Sequence, residues 1–117
     1  QCGDGRRYPW GNKWPPTRGN YSGASSISPY GKIDGYDDGF AVTCSVEKSG
    51  RNEWGLYGVG GNVWEWTSGP DSINARRALR GAAWDHHQQT VLRCDLRRLE
   101  PPGTRAISCG FRLVLSH

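Results

Sequence analysis

The chain has 117 residues and a formal net charge of +4; hydrophobic residues make up 35% of it, and it holds 17 Gly, 7 Pro, 4 Cys and no Met. That length allows one domain, and a mean hydropathy of -0.73 without any long apolar run excludes a membrane-spanning helix. Glycine follows no collagen-like period, so the chain is globular and loop-rich, with a core leaning on six Trp and five Tyr that bury on the order of 150–250 Å² each.

Residues 1–35 are rich in turn formers (Gly3-Asp4-Gly5, Pro15-Pro16, Gly19-Asn20, the Ser25–Pro29 run), with Trp10 and Trp14 as apolar anchors. Residues 36–47 predict an acidic turn and then a short strand, and 48–54 a polar loop. Gly55–Trp66 is the most informative segment. Its glycine-dense turn, Gly58-Val59-Gly60-Gly61, runs through Asn62 into Trp64-Glu65-Trp66, a strand with both Trp on one face and Glu65 on the other. A loop follows at 68–74, then Arg77–Trp84 as a strand with small residues at its centre, where something packs closely. Thr90–Leu96 is the helix candidate, and Gly110–Ser116 a terminal strand.

Arginine is concentrated late, at Arg76, Arg77, Arg80, Arg93, Arg97, Arg98, Arg105 and Arg112, and the pI is near 9.1. These positions lack the periodicity of a recognition helix. They favour structural arginines forked onto carboxylates and carbonyls over a nucleic-acid surface. The cysteines, Cys2, Cys44, Cys94 and Cys109, show no zinc spacing, so disulfides and buried thiols both stay open. A Cys94–Cys109 bridge would close a loop worth about 3 kcal/mol in the chain-entropy account. The start at Gln1 reads as a processed or trimmed product.

Gly5-Arg-Arg-Tyr-Pro-Trp-Gly-Asn12, Gly19-Asn-Tyr-Ser22, Gly35-Tyr-Asp-Asp-Gly-Phe40, Gly55–Trp66, Arg80-Gly-Ala-Ala-Trp84 and Gly110-Phe-Arg112 together resemble the formylglycine-generating-enzyme (sulfatase-modifying factor) family. Six motifs in order cover nearly the whole chain. The resemblance implies an α+β, C-type-lectin-like fold, loop-rich with short antiparallel strands and little helix. It also implies one domain over 1–117, the C-terminal portion of a longer family domain. Only seven residues precede Tyr8, so the resemblance implies that a partner chain supplies the family's N-terminal half, or that the chain is a fragment or a shortened variant.

The same resemblance implies calcium. A first site would use the side chains of Asn20 and Asp38 with the carbonyls of Tyr21 and Phe40, oxygen ligands that suit this ion. Adjacent Asp37 and Asp38 repel one another without a cation or arginine nearby. A second, weaker site would use the carbonyls of Gly61 and Val63 with Glu65; Gly58 stands where its further side-chain ligand is expected.

The family's enzyme branch oxidises a cysteine to formylglycine with a cysteine pair and copper. In the corresponding stretch, Gly81–Cys94, the first cysteine position falls on His86, the second near Val91, and the motif serine is Ala83. Cys94 matches a structural cysteine of the family. No soft two-thiolate site remains, so no copper is expected and no catalytic residue is assigned. Asp85, His86 and His87 could offer two imidazoles and a carboxylate to a metal-dependent oxidase or oxygenase. Adjacent side chains on an extended segment point to opposite faces, however, which favours two solvent-exposed loop histidines.

The last loops and strand resemble the variable proteins of diversity-generating retroelements. Arg93-Cys94, Arg97, Pro102, Arg105 and Gly110-Phe-Arg112 match fixed scaffold positions. The mutable ligand-binding positions in 85–108 would be Asp85, His86, His87, Thr90, Leu96, Arg98, Leu99, Thr104, Ala106, Ile107 and Ser108. Adenine mutagenesis of an Asn codon ending in C cannot produce Lys, Met, Trp, Gln or Glu; Lys, Met and Trp are absent from Asp85 to Cys109, and Gln88, Gln89 and Glu100 would be unmutated positions. Leu96, Leu99 and Ile107 read equally as a mixed apolar–basic patch or as core. The function this implies is non-catalytic ligand binding, with a protein or other macromolecule held at 85–108 and display at a cell surface, in secreted form or on a phage.

Overall fold

Glycine, proline and turn-forming Asp and Asn interrupt this chain so often that few segments can extend a hydrogen-bonded ladder. In the computed structural model, which describes residues 3–68 and 75–115, regular structure is correspondingly sparse. Four short strands form one sheet: β1 (Trp64–Trp66), β2 (Arg77–Arg80), β3 (Arg98–Glu100) and β4 (Cys109–Gly110), in the order β3-β2-β1-β4. The pairings β1–β2 and β2–β3 are antiparallel; β1–β4 is parallel, with Trp64 opposite Cys109 and Glu65 opposite Gly110. The sheet is therefore mixed, because the chain leaving β3 crosses to the far edge before β4. Val46–Lys48 is a 3-10 turn, the only helical element among the described residues. This is the loop-rich α+β architecture expected from the sequence.

Four expected elements differ, each for a local reason; the Arg77–Trp84 strand stops at Arg80, because Gly81 and Ala82 turn left-handed. No strand forms in 36–47, because side chains take the backbone donors a ladder would need. Asp37 accepts from the N–H groups of Ser25 and Gly39, and Asp38 from those of Tyr21 and Phe40. The Thr90–Leu96 helix is reduced to isolated turns: Val91 and Leu92 both donate to the Gln88 carbonyl, and Cys94 donates away, to Arg7. The terminal strand stops at Gly110, and 111–115 run on without regular structure; Ser116 lies outside the described residues, as do 69–74 of the expected 68–74 loop.

Aromatic residues carry the core, as the shortage of aliphatics requires. Tyr8, Tyr21, Ile33, Trp64, Leu79, Ala82, Ala83 and Leu92 form its buried cluster. Tyr8 stacks on Trp10 with centroids 4.7 Å apart, and Trp10 meets Tyr21 edge-on at 5.6 Å. Both geometries satisfy the ring quadrupoles. Leu79, central in β2, and Trp64, at the start of β1, supply the sheet's contribution.

The arginines act mostly as structural forks. Arg112 grips Glu65 with Nε and Nη2, Arg93 grips Asp95, and Arg98 binds Glu100. Arg18 donates to Pro9 O and Glu53, and Arg80 to the carbonyls of Asp95 and Leu96. Arg6 is tied to Asp4 and Glu53, which lowers both carboxyls to about 2.

Candidate functional site

The site is built where β2 ends. Its strand geometry breaks at Ala82, whose φ of 62° lies in the left-handed region that non-glycine residues avoid. The turn delivers Ala83 and Trp84 into the core and sets Asp85, His86 and His87 at its edge. Backbone bonds fix the 85–87 segment: Ser22 N donates to His86 O, Ser28 Oγ to Asp85 O, and His86 N to Ala83 O.

Here the structure corrects the expectation of solvent-exposed histidines. The His86 side chain is only 22% exposed. Its Nε2 accepts the indole N–H of Trp64 at 2.8 Å, and the two rings meet edge to face. A nitrogen that accepts carries no proton, so His86 is neutral with its hydrogen on Nδ1. His87 instead packs against Gly31, where even a Cβ would lie 2.8 Å from His87 Nε2. The two imidazoles thus have separate surroundings. Buried atoms without hydrogen-bond partners include Asp85 Oδ1 and His87 Nδ1.

Burial lowers the His86 pKa below its ordinary 6.5, against the raising effect of Asp85; Arg98 and His87 reinforce the lowering. The folded state therefore binds fewer protons than the unfolded chain in the window below about 6.5. The stability this group contributes is full above that value and is lost as the pH falls through the folded pKa. Thermal unfolding followed from pH 7.5 to 5 is expected to show a falling Tm. His86→Gln, whose amide oxygen can accept the same indole proton, should flatten that slope.

The expected ligand-binding residues divide by exposure. Thr90, Arg98, Ala106 and Ile107 are exposed, Ile107 at 85%; Asp85, His86, His87, Leu96, Leu99 and Thr104 are half-buried. Ser108 is buried, its carbonyl accepting from Trp64 N, so its side chain is no surface group. The three aliphatics do not form one patch, since Leu96 packs against the core while Ile107 faces solvent. Arg98 on β3 and Asp85 both act electrostatically on His86, which brings that strand to the histidine turn.

Of the residues that the resemblance sets at or near the enzyme branch's two cysteine positions, His86 is bonded to Trp64 and Val91 packs against the core. Cys94 is disulfide-bonded; Cys109 is a free thiol, so Cys94 and Cys109 do not pair. Cys44 is free as well, and burial raises the pKa of both free thiols, the opposite of an activated thiolate. Among the described residues no three His, Cys, Asp or Glu side chains converge as a metal-binding group.

Of the first calcium set, the side chains of Asn20 and Asp38 meet, while the Tyr21 carbonyl accepts from Gly23 N. Asp38 Oδ2 accepts from Asn20 Nδ2 at 2.8 Å and Tyr21 N at 3.0 Å, and Oδ1 from Phe40 N at 2.9 Å. Burial raises the Asp38 pKa, and Asn20 Oδ1 is buried without a donor. A desolvated carboxylate beside an orphan oxygen fits a hard cation. The second set fits poorly. Both Glu65 oxygens are taken by Arg112, whose Nη2 also donates to the carbonyls of Tyr57 and Gly58. A guanidinium already supplies the positive charge there.

Sequence reasoning missed Trp64 as the partner of His86, Arg112 as the partner of Glu65, and the support from Ser28 and Gly31. These pairs join residues up to 57 positions apart, and no local pattern announces them. The one available hint was Gly31, a glycine in a turn-rich segment whose missing side chain leaves room for a ring.

A family pattern described as the sulfatase-modifying factor enzyme 1-like domain matches residues 1–117. The chain is 32% identical over 134 residues to the formylglycine-generating enzyme of Mus musculus, which covers 96% of this chain and 34% of the relative. It is 35% identical over 115 residues to the inactive C-alpha-formylglycine-generating enzyme 2 of Bos taurus, covering 92% of this chain and 37% of the relative. The hercynine oxygenase of Mycobacterium tuberculosis is 29% identical over 130 residues, covering 96% and 28%. The chain thus spans about a third of the length of the curated relatives it matches first. With a match along its whole length and the loop-rich, C-type-lectin-like α+β architecture, the chain belongs to the sulfatase-modifying factor enzyme 1-like family.

Proposed function

We propose that this chain is a non-catalytic member of the family that binds a protein or other macromolecule through residues 85–108. One observation carries the reading. Where the oxidase branch would hold its thiols, His86 has its acceptor nitrogen committed to Trp64 and Val91 is packed on the core. Oxidation of a substrate cysteine by that branch needs a thiol pair, and neither position offers sulfur. That a relative 35% identical is named as inactive fits the same direction. Copper-loaded protein incubated with a cysteine-containing peptide is expected to leave the peptide unchanged by mass spectrometry. Aldehyde formation above a metal-only control would overturn the reading.

Binding draws on the exposed Thr90, Arg98, Ala106 and Ile107, held on a frame of buried Trp64, Leu79 and Leu92. Substitutions at such surface positions usually stay within about 0.5 kcal/mol of neutral, which is what diversification requires. Sibling sequences should differ within 85–108 and agree elsewhere, beside an adenine-mutagenised template. Differences scattered through the core would reject the retroelement assignment. Display at a surface or in secreted form, and completion of the domain by a further chain, belong to the same proposal.

Calcium at Asn20, Tyr21, Asp38 and Phe40 would brace the base of this frame. Free calcium at 100 times Kd adds about 2.7 kcal/mol, or roughly 10 °C in Tm for a domain of this size. Calorimetry with and without calcium is expected to show the shift in the wild type and none in Asp38→Asn.

A second reading, a metal-dependent oxidase or oxygenase, draws on the unpartnered Asp85 Oδ1 and His87 Nδ1 and on the hercynine oxygenase relative. Tight stoichiometric iron binding that is lost in His87→Ala would favour it.

A further inference from the structure

We propose that the open edge of the sheet, continued by residues 111–115, pairs with the same segment of a second copy of this chain, so that two four-stranded sheets join across a two-fold axis. This goes beyond the 85–108 reading and does not rest on it.

The two edges of the sheet are built differently. The β3 edge carries Arg98 and Glu100, bonded to each other. Charged side chains of that kind guard an edge against further strands. The β4 edge has no such guard. It runs on into Phe111-Arg112-Leu113-Val114-Leu115, whose four apolar residues are 73%, 89%, 82% and 83% exposed in chain order. The single charge there is turned back onto its own sheet, because Arg112 is forked onto Glu65 and the carbonyls of Tyr57 and Gly58. Among the described residues, 111–115 make no backbone hydrogen bond, and none of the five has a positive φ that would bar a strand. Unpaired donors and acceptors beside exposed apolar side chains, with no proline among them, form a template for strand addition.

The occupant that fits this edge is a second copy in antiparallel register. Centred on Leu113, that pairing sets Phe111 against Leu115 of the second copy and Arg112 against its Val114. A parallel pairing in register would oppose Arg112 to Arg112, a like-charge contact that disfavours it. Each copy gives and takes the same strand, so the two-fold pair closes and leaves neither edge open. Five residues bury less than the roughly 800 Å² per partner of a stable complex. The dimer is therefore weak, with Kd on the order of 10–100 µM.

Sedimentation equilibrium of the whole chain, from about 1 to about 300 µM, is expected to fit a monomer–dimer equilibrium in that range. Leu113→Lys and Leu113→Glu, at a position 89% exposed, should each keep the wild-type Tm. Each should weaken the dimer about tenfold, since each opposes like charges at the axis in place of an apolar pair. An equimolar mixture of the two should recover the dimer, because only the mixed pair opposes unlike charges there. Each of four results overturns the proposal. The first is a monomer at every concentration, which would leave the edge to its own chain or to a strand of another sequence. The others are species that grow past a dimer without closing, a dimer undiminished in Leu113→Lys, and a mixture no tighter than either variant alone. None of them bears on whether 85–108 binds a macromolecule.

Discussion

Trp64→Ala is expected to unfold the domain. The side chain is 1% exposed, and it sits where β1 meets β4 in the parallel pairing with Cys109. Truncating a buried Trp costs about 3–5 kcal/mol through lost transfer energy and the cavity left behind. A domain of this kind has about 5–15 kcal/mol in total, and a core this short of aliphatics cannot collapse well to fill the space. The substitution also leaves His86 Nε2 without its indole donor, a further loss of about 1–3 kcal/mol if the nitrogen stays buried. Trp64→Phe separates these contributions, keeping much of the ring and removing only the N–H and part of the volume. Urea denaturation followed by circular dichroism should find it folded but weaker by about 1–3 kcal/mol. Native near-UV ellipticity and an unchanged midpoint in Trp64→Ala would show that the frame is centred elsewhere.

What the sequence made legible was local. In Trp64-Glu65-Trp66 the two-residue alternation places Trp64 in the core and Glu65 on the opposite face, and both placements hold, with Arg112 answering Glu65. The structural use of arginine was legible because a planar fork needs only a nearby oxygen, and this chain is full of carbonyls in loops. What stayed hidden depended on long-range meetings. The Asp37-Asp38 pair reads as a repulsive couple needing a cation, yet each carboxylate finds its own donors: Ser25 and Gly39 for one, Asn20, Tyr21 and Phe40 for the other. Adjacent histidines read as solvent-facing because nothing within several residues gives them a partner. The partner of His86 lies 22 positions back, and the wall against His87 is a glycine turn far upstream. The parallel entry of β4 was equally hidden, since alternation reveals faces but not strand direction.

The same logic identifies the glycine on which the frame depends most. Gly61 has φ +82°, and an added Cβ would overlap the Asn20 carbonyl oxygen and lie 2.9 Å from its carbon. That carbonyl accepts Asn62 N at 2.8 Å, while Gly61 N donates to Gly81 O at 2.7 Å. One methyl group would thus push apart three segments: the Asn20 loop that holds Asp38, the turn into β1, and the end of β2 that sets the histidine turn. Gly61→Ala carries about 1–3 kcal/mol of left-handed backbone strain, and each displaced hydrogen bond adds about 1 kcal/mol. The sum rivals the loss of Trp64, so the variant is expected not to fold. Gly35→Ala is the matched comparison. Its φ is +73°, yet a Cβ there meets nothing within 4 Å. It carries the backbone strain without the collision and should remain folded, weaker by only about 1–2 kcal/mol. If urea midpoints place the two variants together, close backbone approach at Gly61 contributes nothing and the three segments are held by other contacts. A wide gap between them locates the keystone of the frame in a residue without a side chain.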